Sequence, residues 1–268
     1  MQALRQIDDW PVPFAAAGVV GPDGRREMHG DSRRMVRLAS VSKPVAALAL
    51  LVAAEEGVVD LDEPAGPPGS TVRHLLSHAS GLPFDGATPI APPGRRRIYS
   101  NEGFRVLAAH LAHRAEMSFA DYVQAAVCDP LEIGLDPSGD PGSGMRASLD
   151  DVLVLCSELL VPTLVAEETL DELRSVQFPG LSGVLPDFGR FDPLDWGLGV
   201  QLNSSGPSWM GARVSSRAFG HFGGSGTFLW VDPDLGAACA ALTTRDFGDW
   251  AKEAWPRLSD ALVAELSA

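Results

Sequence analysis

The chemistry in this chain starts from a serine and a lysine three positions apart. The run Ser40-Val41-Ser42-Lys43 leads into an apolar stretch that has helical character from Pro44 to Gly57. Because proline is accepted in the first turn of a helix and excluded from its interior, the helix must begin near Ser40. Ser40 and Lys43 then lie one turn apart on the same face. A serine hydroxyl needs a base to become a nucleophile, and a lysine with a lowered pKa can be that base.

Two further motifs follow along the chain, Tyr99-Ser100-Asn101 and His221-Phe222-Gly223. A Tyr-x-Asn pattern is uncommon by chance here, since the chain has only 2 tyrosines. Each motif alone has a structural alternative. Ser40 and Lys43 could be a helix cap and a lysine that reaches towards solvent, and Tyr99-Ser100-Asn101 could be a capped turn. The occurrence of all three motifs in one chain favours a catalytic site.

Other catalytic and metal signatures are weak or missing from the sequence. There is no G-x-S-x-G elbow, no phosphate-binding loop with its lysine and no G-x-G-x-x-G. His74 and His78 are four positions apart, a spacing that could face a zinc ion. No acid lies between them and no third ligand is apparent. We therefore expect a structural histidine pair, no metal and no organic cofactor.

Charge and composition exclude several classes of partner. The 268 residues are 45% hydrophobic, and 21 basic against 35 acidic residues give a net charge of −14. Nucleic acid needs a basic footprint, which is missing apart from the run Arg95-Arg96-Arg97. We interpret that run as a solvated loop rather than a phosphate site. We expect a small-molecule substrate and no nucleic-acid partner, and the oligomeric state is not encoded in any pattern.

The sequence also predicts a cytoplasmic protein without a membrane segment. The longest uncharged apolar run, 44–54, is too short to cross a bilayer. The first residues include acids early and have no apolar core segment, so they do not resemble a signal peptide. Cys128, Cys156 and Cys239 have apolar neighbours and no CxxC spacing, which predicts buried free thiols.

The order of predicted elements indicates an α+β fold. A hairpin over 13–20 and 25–30 and a buried helix open the chain, and helical signals such as the apolar spacing of 102–115 dominate its middle. Strand patterns return near the end, before a final amphipathic helix that Pro256 kinks or splits. We expect an antiparallel sheet built from both chain ends with a helical region inserted between them. The remaining predicted elements are helices after Ser70, Ser118 and Ser148 and over 163–176 and 248–267, and strands over 212–222, 226–232 and 236–244.

The three motifs, taken together, resemble the active-site motifs of penicillin-recognising serine hydrolases. A Tyr-x-Asn second motif is similar to that of the branch with class C β-lactamases, D-alanyl-D-alanine carboxypeptidases and β-lactamase-like esterases. The flanking sequence agrees, so the resemblance covers nearly the whole chain. The matching flanks are HLLSHASGLPF at 74–84, Pro93-Gly94, Trp196-Gly-Leu-Gly199 and GHFGGSGTFLWVDPDLG at 220–236.

The resemblance implies a β-lactamase/transpeptidase-like fold, with an antiparallel sheet flanked by terminal helices and an inserted helical subdomain. It implies a single domain over 1–268, in which about 1–60 and 195–268 form the α/β part and about 61–194 the helical part. The catalytic site would lie in the cleft between these two parts.

The resemblance also implies roles for single residues. Ser40 would be the acylated nucleophile, Lys43 its proton partner, and Tyr99 a base and then an acid towards the leaving group. Asn101 would orient the substrate or Lys43. The backbone N–H groups of Ser40 and Gly224 would form the oxyanion hole. His221 and Gly223 would line the strand wall beside the nucleophile.

Three departures from the family pattern bear on the substrate. The third motif is His-Phe-Gly rather than Lys-Thr-Gly, and a neutral His221 gives weaker anion recognition, although the resemblance includes D-peptidases that also have histidine there. The interval from Ser40 to Tyr99 is only 59 positions, and no signal peptide is apparent. These features favour an intracellular esterase or amidase over a β-lactamase or D-amino-acid peptidase. A member that binds without turnover is the third alternative.

Overall fold

Both ends of the chain supply strands to one antiparallel sheet. The computed structural model describes residues 1–203 and 209–268. Its strands are β1 (Ala15–Val20), β2 (Arg26–Gly30), β3 (Val36–Arg37), β4 (Arg97–Ile98), β5 (Arg146–Ala147), β6 (Gly183–Leu185), β7 (Gly189–Phe191), β8 (Gln201–Leu202), β9 (Phe219–Gly223), β10 (Thr227–Asp232) and β11 (Ala237–Thr243). The main sheet has the order β2-β1-β11-β10-β9-β8. Every neighbouring pair in it is antiparallel, which confirms the predicted architecture.

Helices occupy much of the middle of the chain and close its end. They are α1 (Ser42–Glu55), α2 (Val72–Leu76), α3 (Asn101–Ala115), α4 (Phe119–Val123), α5 (Asp129–Leu131), α6 (Leu149–Leu160), α7 (Glu167–Leu173) and α8 (Asp249–Leu266). The side chains of Ser118 and Ser148 cap α4 and α6, as predicted. The predicted division of a single domain near residues 60 and 195 stays a prediction.

The inner strands of the main sheet are buried on both faces, whereas the edge strand β2 is mostly exposed. Side chains alternate across each strand, so a buried strand contributes to two apolar clusters. In β1, Ala16 and Val20 pack into one apolar cluster with α1 and α6. Ala17 and Val19 pack into a second cluster with α8 and a 3-10 helix at Ala3–Asp9. The helix α1 is buried from Ser42 to Ala53, so the segment that follows the Ser-x-x-Lys motif is rigidly enclosed.

Two predicted elements are shorter in the structure because carboxylates take up their backbone N–H groups. The strand predicted over 212–222 begins only at Phe219. Before it, Asp260 accepts the N–H groups of residues 212 and 213, and Asp232 accepts that of residue 215. The helix predicted over 163–176 is confined to α7. The Glu158 carboxylate holds the N–H groups of residues 163 and 164 outside it.

Other sequence predictions are settled by the same structure. Pro256 lies inside α8, which continues to Leu266 as one helix, so the predicted splitting is wrong. Cys128, Cys156 and Cys239 are buried free thiols, as expected. Within 1–203 and 209–268, no helix combines the length and apolar character needed to cross a membrane.

The basic run at 95–97 is only partly the solvated loop that we predicted. Arg95 and Arg96 are exposed, but Arg97 in β4 is 2% exposed. Its guanidinium donates hydrogen bonds to the backbone carbonyls of Ser77, Gln177 and Leu194. Arg97 therefore joins three separate segments of the chain at a position two residues before Tyr99.

We predict that Arg97→Lys lowers the free energy of unfolding by about 2–4 kcal/mol. A lysine cannot reproduce the planar set of donors, so buried carbonyls lose their partners. Urea denaturation checks this, with Arg95→Lys as the matched control, which should stay within about 0.5 kcal/mol of the parent. Equal stability of the two variants would show that the Arg97 hydrogen bonds contribute little.

Candidate active site

Ser40 lies in a tight 3-10 turn, Ala39–Val41, directly before α1. Ala39 has a φ of 47°, a left-handed conformation that a side chain adopts only when its surroundings enforce it. Part of that enforcement comes from β10, where the Thr227 hydroxyl donates to the Leu38 carbonyl at 2.7 Å. The position of the predicted nucleophile is thus fixed by the main sheet.

The end of β9 passes close to the same turn, and Gly223 makes this approach possible. A Cβ at Gly223 would lie 2.3 Å from the Leu38 carbonyl oxygen and 3.0 Å from the Ala39 Cβ. Any larger residue would push β9 away from Ser40. Gly224 follows at the strand end with open space beside its Cα, and its carbonyl accepts the N–H of Phe247.

The Lys43 amine is fully buried and lies among three oxygen atoms. Its Nζ is 2.7 Å from Asn101 Oδ1, 2.9 Å from the Gly142 carbonyl and 3.2 Å from Ser40 Oγ. Burial lowers the pKa of Lys43 to about 7, although Asp140 opposes this. A neutral amine has two N–H donors, which Asn101 and Gly142 use, and one lone pair. That lone pair is then left to accept the Ser40 hydroxyl proton.

Tyr99 completes the set around Ser40. Burial raises the pKa of its phenol, and a hydrogen bond with the Ser40 side chain opposes this shift. Its ring lies beside the amine, with Lys43 Nζ 4.7 Å from the ring centroid. The Tyr99 oxygen is also 3.5 Å from Nε2 of His221. The phenol therefore stays protonated near neutral pH and can donate a proton.

The histidine of the third motif is neutral. His221 Nδ1 is 2.7 Å from the Phe222 carbonyl, an atom that can only accept, so Nδ1 carries the hydrogen. The lone pair of Nε2 then faces the Tyr99 hydroxyl. Burial lowers the pKa of His221 to about 3, and the nearby Lys43 adds to this. The imidazole cannot replace the positive charge of a lysine at this position.

The turn that contains Gly142 is a part of the site that the sequence did not reveal. The Asp140 carboxylate accepts the N–H of Gly142 at 3.1 Å and a 2.7 Å hydrogen bond from Arg105. These contacts aim the Gly142 carbonyl at Lys43. The glycines and the proline in 140–144 predict a turn, but no sequence signal places that turn beside residue 43.

His78 is the second residue whose role the sequence did not reveal. Its carbonyl accepts the N–H of Ile98, its Nδ1 accepts the N–H of Ser100, and its ring lies 4.5 Å from that of Tyr99. It has a left-handed φ of 59°. His74 instead stacks on Phe178. His74 and His78 are thus structural, as expected, but His78 also holds the Tyr99-Ser100-Asn101 motif in place.

The predicted site residues are therefore brought together around the Lys43 amine. Ser40, Asn101 and Tyr99 contact it directly, and His221 and Gly223 lie on the adjacent strand β9. Within the part of the chain that the structure describes, no group of three or more histidine, cysteine or acidic residues could hold a metal ion.

Known proteins share the fold over most of the chain. The family model described as Beta-lactamase matches residues 6–263. A crystal structure described as a beta-lactamase from Mycobacterium bovis is 49% identical, with a TM-score of 0.97, and the match covers 99% of this chain and 100% of that one. The hydrolase EstCE1, described as having promiscuous acyltransferase activity, is 18% identical with a TM-score of 0.77, over 98% and 97% of the two chains.

A curated relative matches a smaller part of the chain. Penicillin-binding protein 4* of Bacillus subtilis is 28% identical over a region that covers 36% of this chain and 29% of that protein. The chain therefore spans less than a third of the curated relative's length. The family assignment rests instead on the nearly complete match over residues 6–263 and the near-identical fold of the M. bovis structure. By both criteria, the chain belongs to the beta-lactamase family.

Proposed function

We propose that the protein is a serine hydrolase that cleaves esters or amides through an acyl-enzyme on Ser40. The observation that carries this proposal is the buried Lys43 amine, whose two N–H groups have other acceptors and whose lone pair is left for the Ser40 hydroxyl. A base with a pKa of about 7 is well matched to proton transfer near neutral pH.

In the acylation step, the Ser40 proton moves to Lys43 Nζ as Oγ attacks the carbonyl carbon of the substrate. The backbone N–H groups of Ser40 and Gly224 receive the oxyanion. When the bond to the leaving group breaks, Tyr99 gives its proton to that group and regains one from Lys43. A phenol with a raised pKa is protonated at the start, so it is suited to this acid role.

We favour an esterase or amidase over a β-lactamase or D-peptidase. A neutral His221 offers no charge to the carboxylate of a penicillin or a terminal D-alanine at the strand wall. The alternative of a β-lactamase activity is supported by the 49% identical M. bovis relative, which is described as a beta-lactamase. A binding member without turnover is disfavoured, because the geometry needed for proton transfer is intact.

We infer that His78 is a positioning residue for Tyr99. It contacts the second motif through its carbonyl, its ring nitrogen and its ring face, and it is 1% exposed. A small displacement of the Tyr99 hydroxyl would slow proton transfer without changing how a substrate binds. His78 itself is not placed to touch a substrate.

We predict a burst of about one equivalent of para-nitrophenol when the protein meets para-nitrophenyl butyrate, followed by steady turnover. Ser40→Ala should abolish both phases, because the acyl-enzyme cannot form. Rapid-mixing absorbance measures the burst. Ser42→Ala is the matched control and should retain it, since Ser42 only accepts a hydrogen bond from the Met145 N–H. An undiminished burst in Ser40→Ala would reject the assignment of the nucleophile.

We predict that kcat/KM for the neutral ester rises with pH to a plateau above about 7. Lys43 must be neutral to accept a proton, so below its pKa of about 7 the rate should fall about tenfold per pH unit. Lys43→Arg should be inactive throughout, because a guanidinium does not deprotonate. Lys252→Arg, which alters the only other lysine, should keep the parent profile. A midpoint near 10 would contradict a lowered Lys43 pKa.

We predict that His78→Asn lowers kcat by about two- to fivefold and His78→Ala by about tenfold or more, with KM unchanged in both. Asparagine keeps an acceptor for the Ser100 N–H and tolerates a positive φ, whereas alanine does neither. Steady-state kinetics on protein with a verified melting temperature separates these effects. His74→Asn, in the helix α2 that ends two residues before His78, should retain the parent kcat. A loss confined to KM would contradict the positioning role.

A further inference from the structure

A cavity of about 400 Å³ opens beside Tyr99 and is lined by residues of the small sheet β4-β6-β7 and by Phe84 and Ile90. Three large apolar side chains on its wall are unusually exposed: Phe84 at 49%, Ile90 at 55% and Val184 at 57%. Isolated exposed apolar residues are ordinary, but a group of them lining one cavity marks a binding surface. The cavity adjoins the residue that we propose as the acid of the reaction.

Strand pairing places two apolar residues and an arginine of this cavity on the same face of the small sheet. Ile98 pairs with Val184, and Val184 pairs with Arg190, across β4, β6 and β7. Paired residues on neighbouring strands present their side chains to the same face of a sheet. All three line the cavity, so an apolar surface leads across the small sheet to a guanidinium. Arg96, one residue before β4, contributes a second guanidinium to the lining.

The charged side chains that line the cavity are all basic, although the protein as a whole is strongly acidic. Among the described residues its lining includes no aspartate or glutamate, although the chain carries a net charge of −14. Neither Arg96 nor Arg190 forms an ion pair with any described residue. Both are exposed at the cavity wall. The charge of each is therefore available to a ligand, although Nη2 of Arg96 also donates a 3.4 Å hydrogen bond to the Ile90 carbonyl.

We propose that this cavity binds the apolar segment of a substrate that ends in a carboxylate, with Arg96 and Arg190 pairing with the anion. This inference rests on the proposed hydrolase function and names its substrate class. In this proposal the two arginines supply the positive charge that the third motif lacks at His221. The favoured substrates are half-esters of aliphatic dicarboxylic acids or esters whose leaving group bears a carboxylate.

The first test compares two esters of equal chain length, para-nitrophenyl hexanoate and mono-para-nitrophenyl adipate. They differ only where a terminal methyl becomes a carboxylate. We expect a KM about five- to tenfold lower for the adipate at low ionic strength, and this preference should shrink as salt screens the arginines. The same preference at all salt concentrations would argue against ion pairing.

The second test removes the charges. Arg96→Gln and Arg190→Gln should each raise the KM of the preferred anionic ester about threefold and the double variant about tenfold, with the KM of hexanoate unchanged. Arg95→Gln is the matched control, because Arg95 is an exposed neighbour that does not line the cavity. If Arg95→Gln and Arg96→Gln raise the KM of the anionic ester equally, the preference comes from general surface charge, and the proposal is overturned.

A third pair of esters shows on which side of the scissile bond the cavity lies. Hexanoate esters of meta-hydroxybenzoate and of its methyl ester carry the carboxylate, or its neutral match, on the leaving group. A preference for either anionic ester that the double variant abolishes supports the proposal. Turnover of the neutral esters with no anion preference overturns it and leaves the hydrolase assignment intact. No Ser40-dependent turnover of any ester would reject the hydrolase function itself.

Discussion

The structure depends on one enclosed amine. Lys43 lies on a helix with almost no polar surface, and three oxygens from separate parts of the chain surround its nitrogen. Holding a lysine in such surroundings costs free energy whenever the amine is charged, which is why its pKa falls. The 3-10 turn before α1, the start of α3 and the turn at Gly142 must all be correctly placed for this nitrogen to have partners.

The scaffold meets that requirement by attaching each loop of the site to a rigid element. The sheet holds the Ser40 turn through Thr227 and the close approach at Gly223. Arg97 and His78 hold the Tyr99 segment from two sides. The supports through Thr227, Arg97 and His78 are buried hydrogen bonds, so they have directionality as well as strength. Catalytic geometry of this kind needs such supports because sub-ångström errors are costly.

The sequence was sufficient to predict the antiparallel sheet, the buried first helix and the cluster of motif residues, since each has a local pattern. It failed where a backbone group is held by a distant carboxylate, as before β9, where Asp232 and Asp260 replace a strand partner. It also failed for Gly142 and His78. A carbonyl leaves no signature in sequence, and a histidine pair at helical spacing looks the same whatever it contacts.

The pairing of the first strand with the last has a consequence for synthesis. Ala15 lies opposite Thr243, so the centre of the sheet consists of contacts between residues at opposite ends of the chain. Such high contact order makes folding slow, because a long loop must close first. The edge of β1 that pairs with β11 therefore stays unpaired until residue 243 has left the ribosome, and the nascent protein is most prone to aggregation before then.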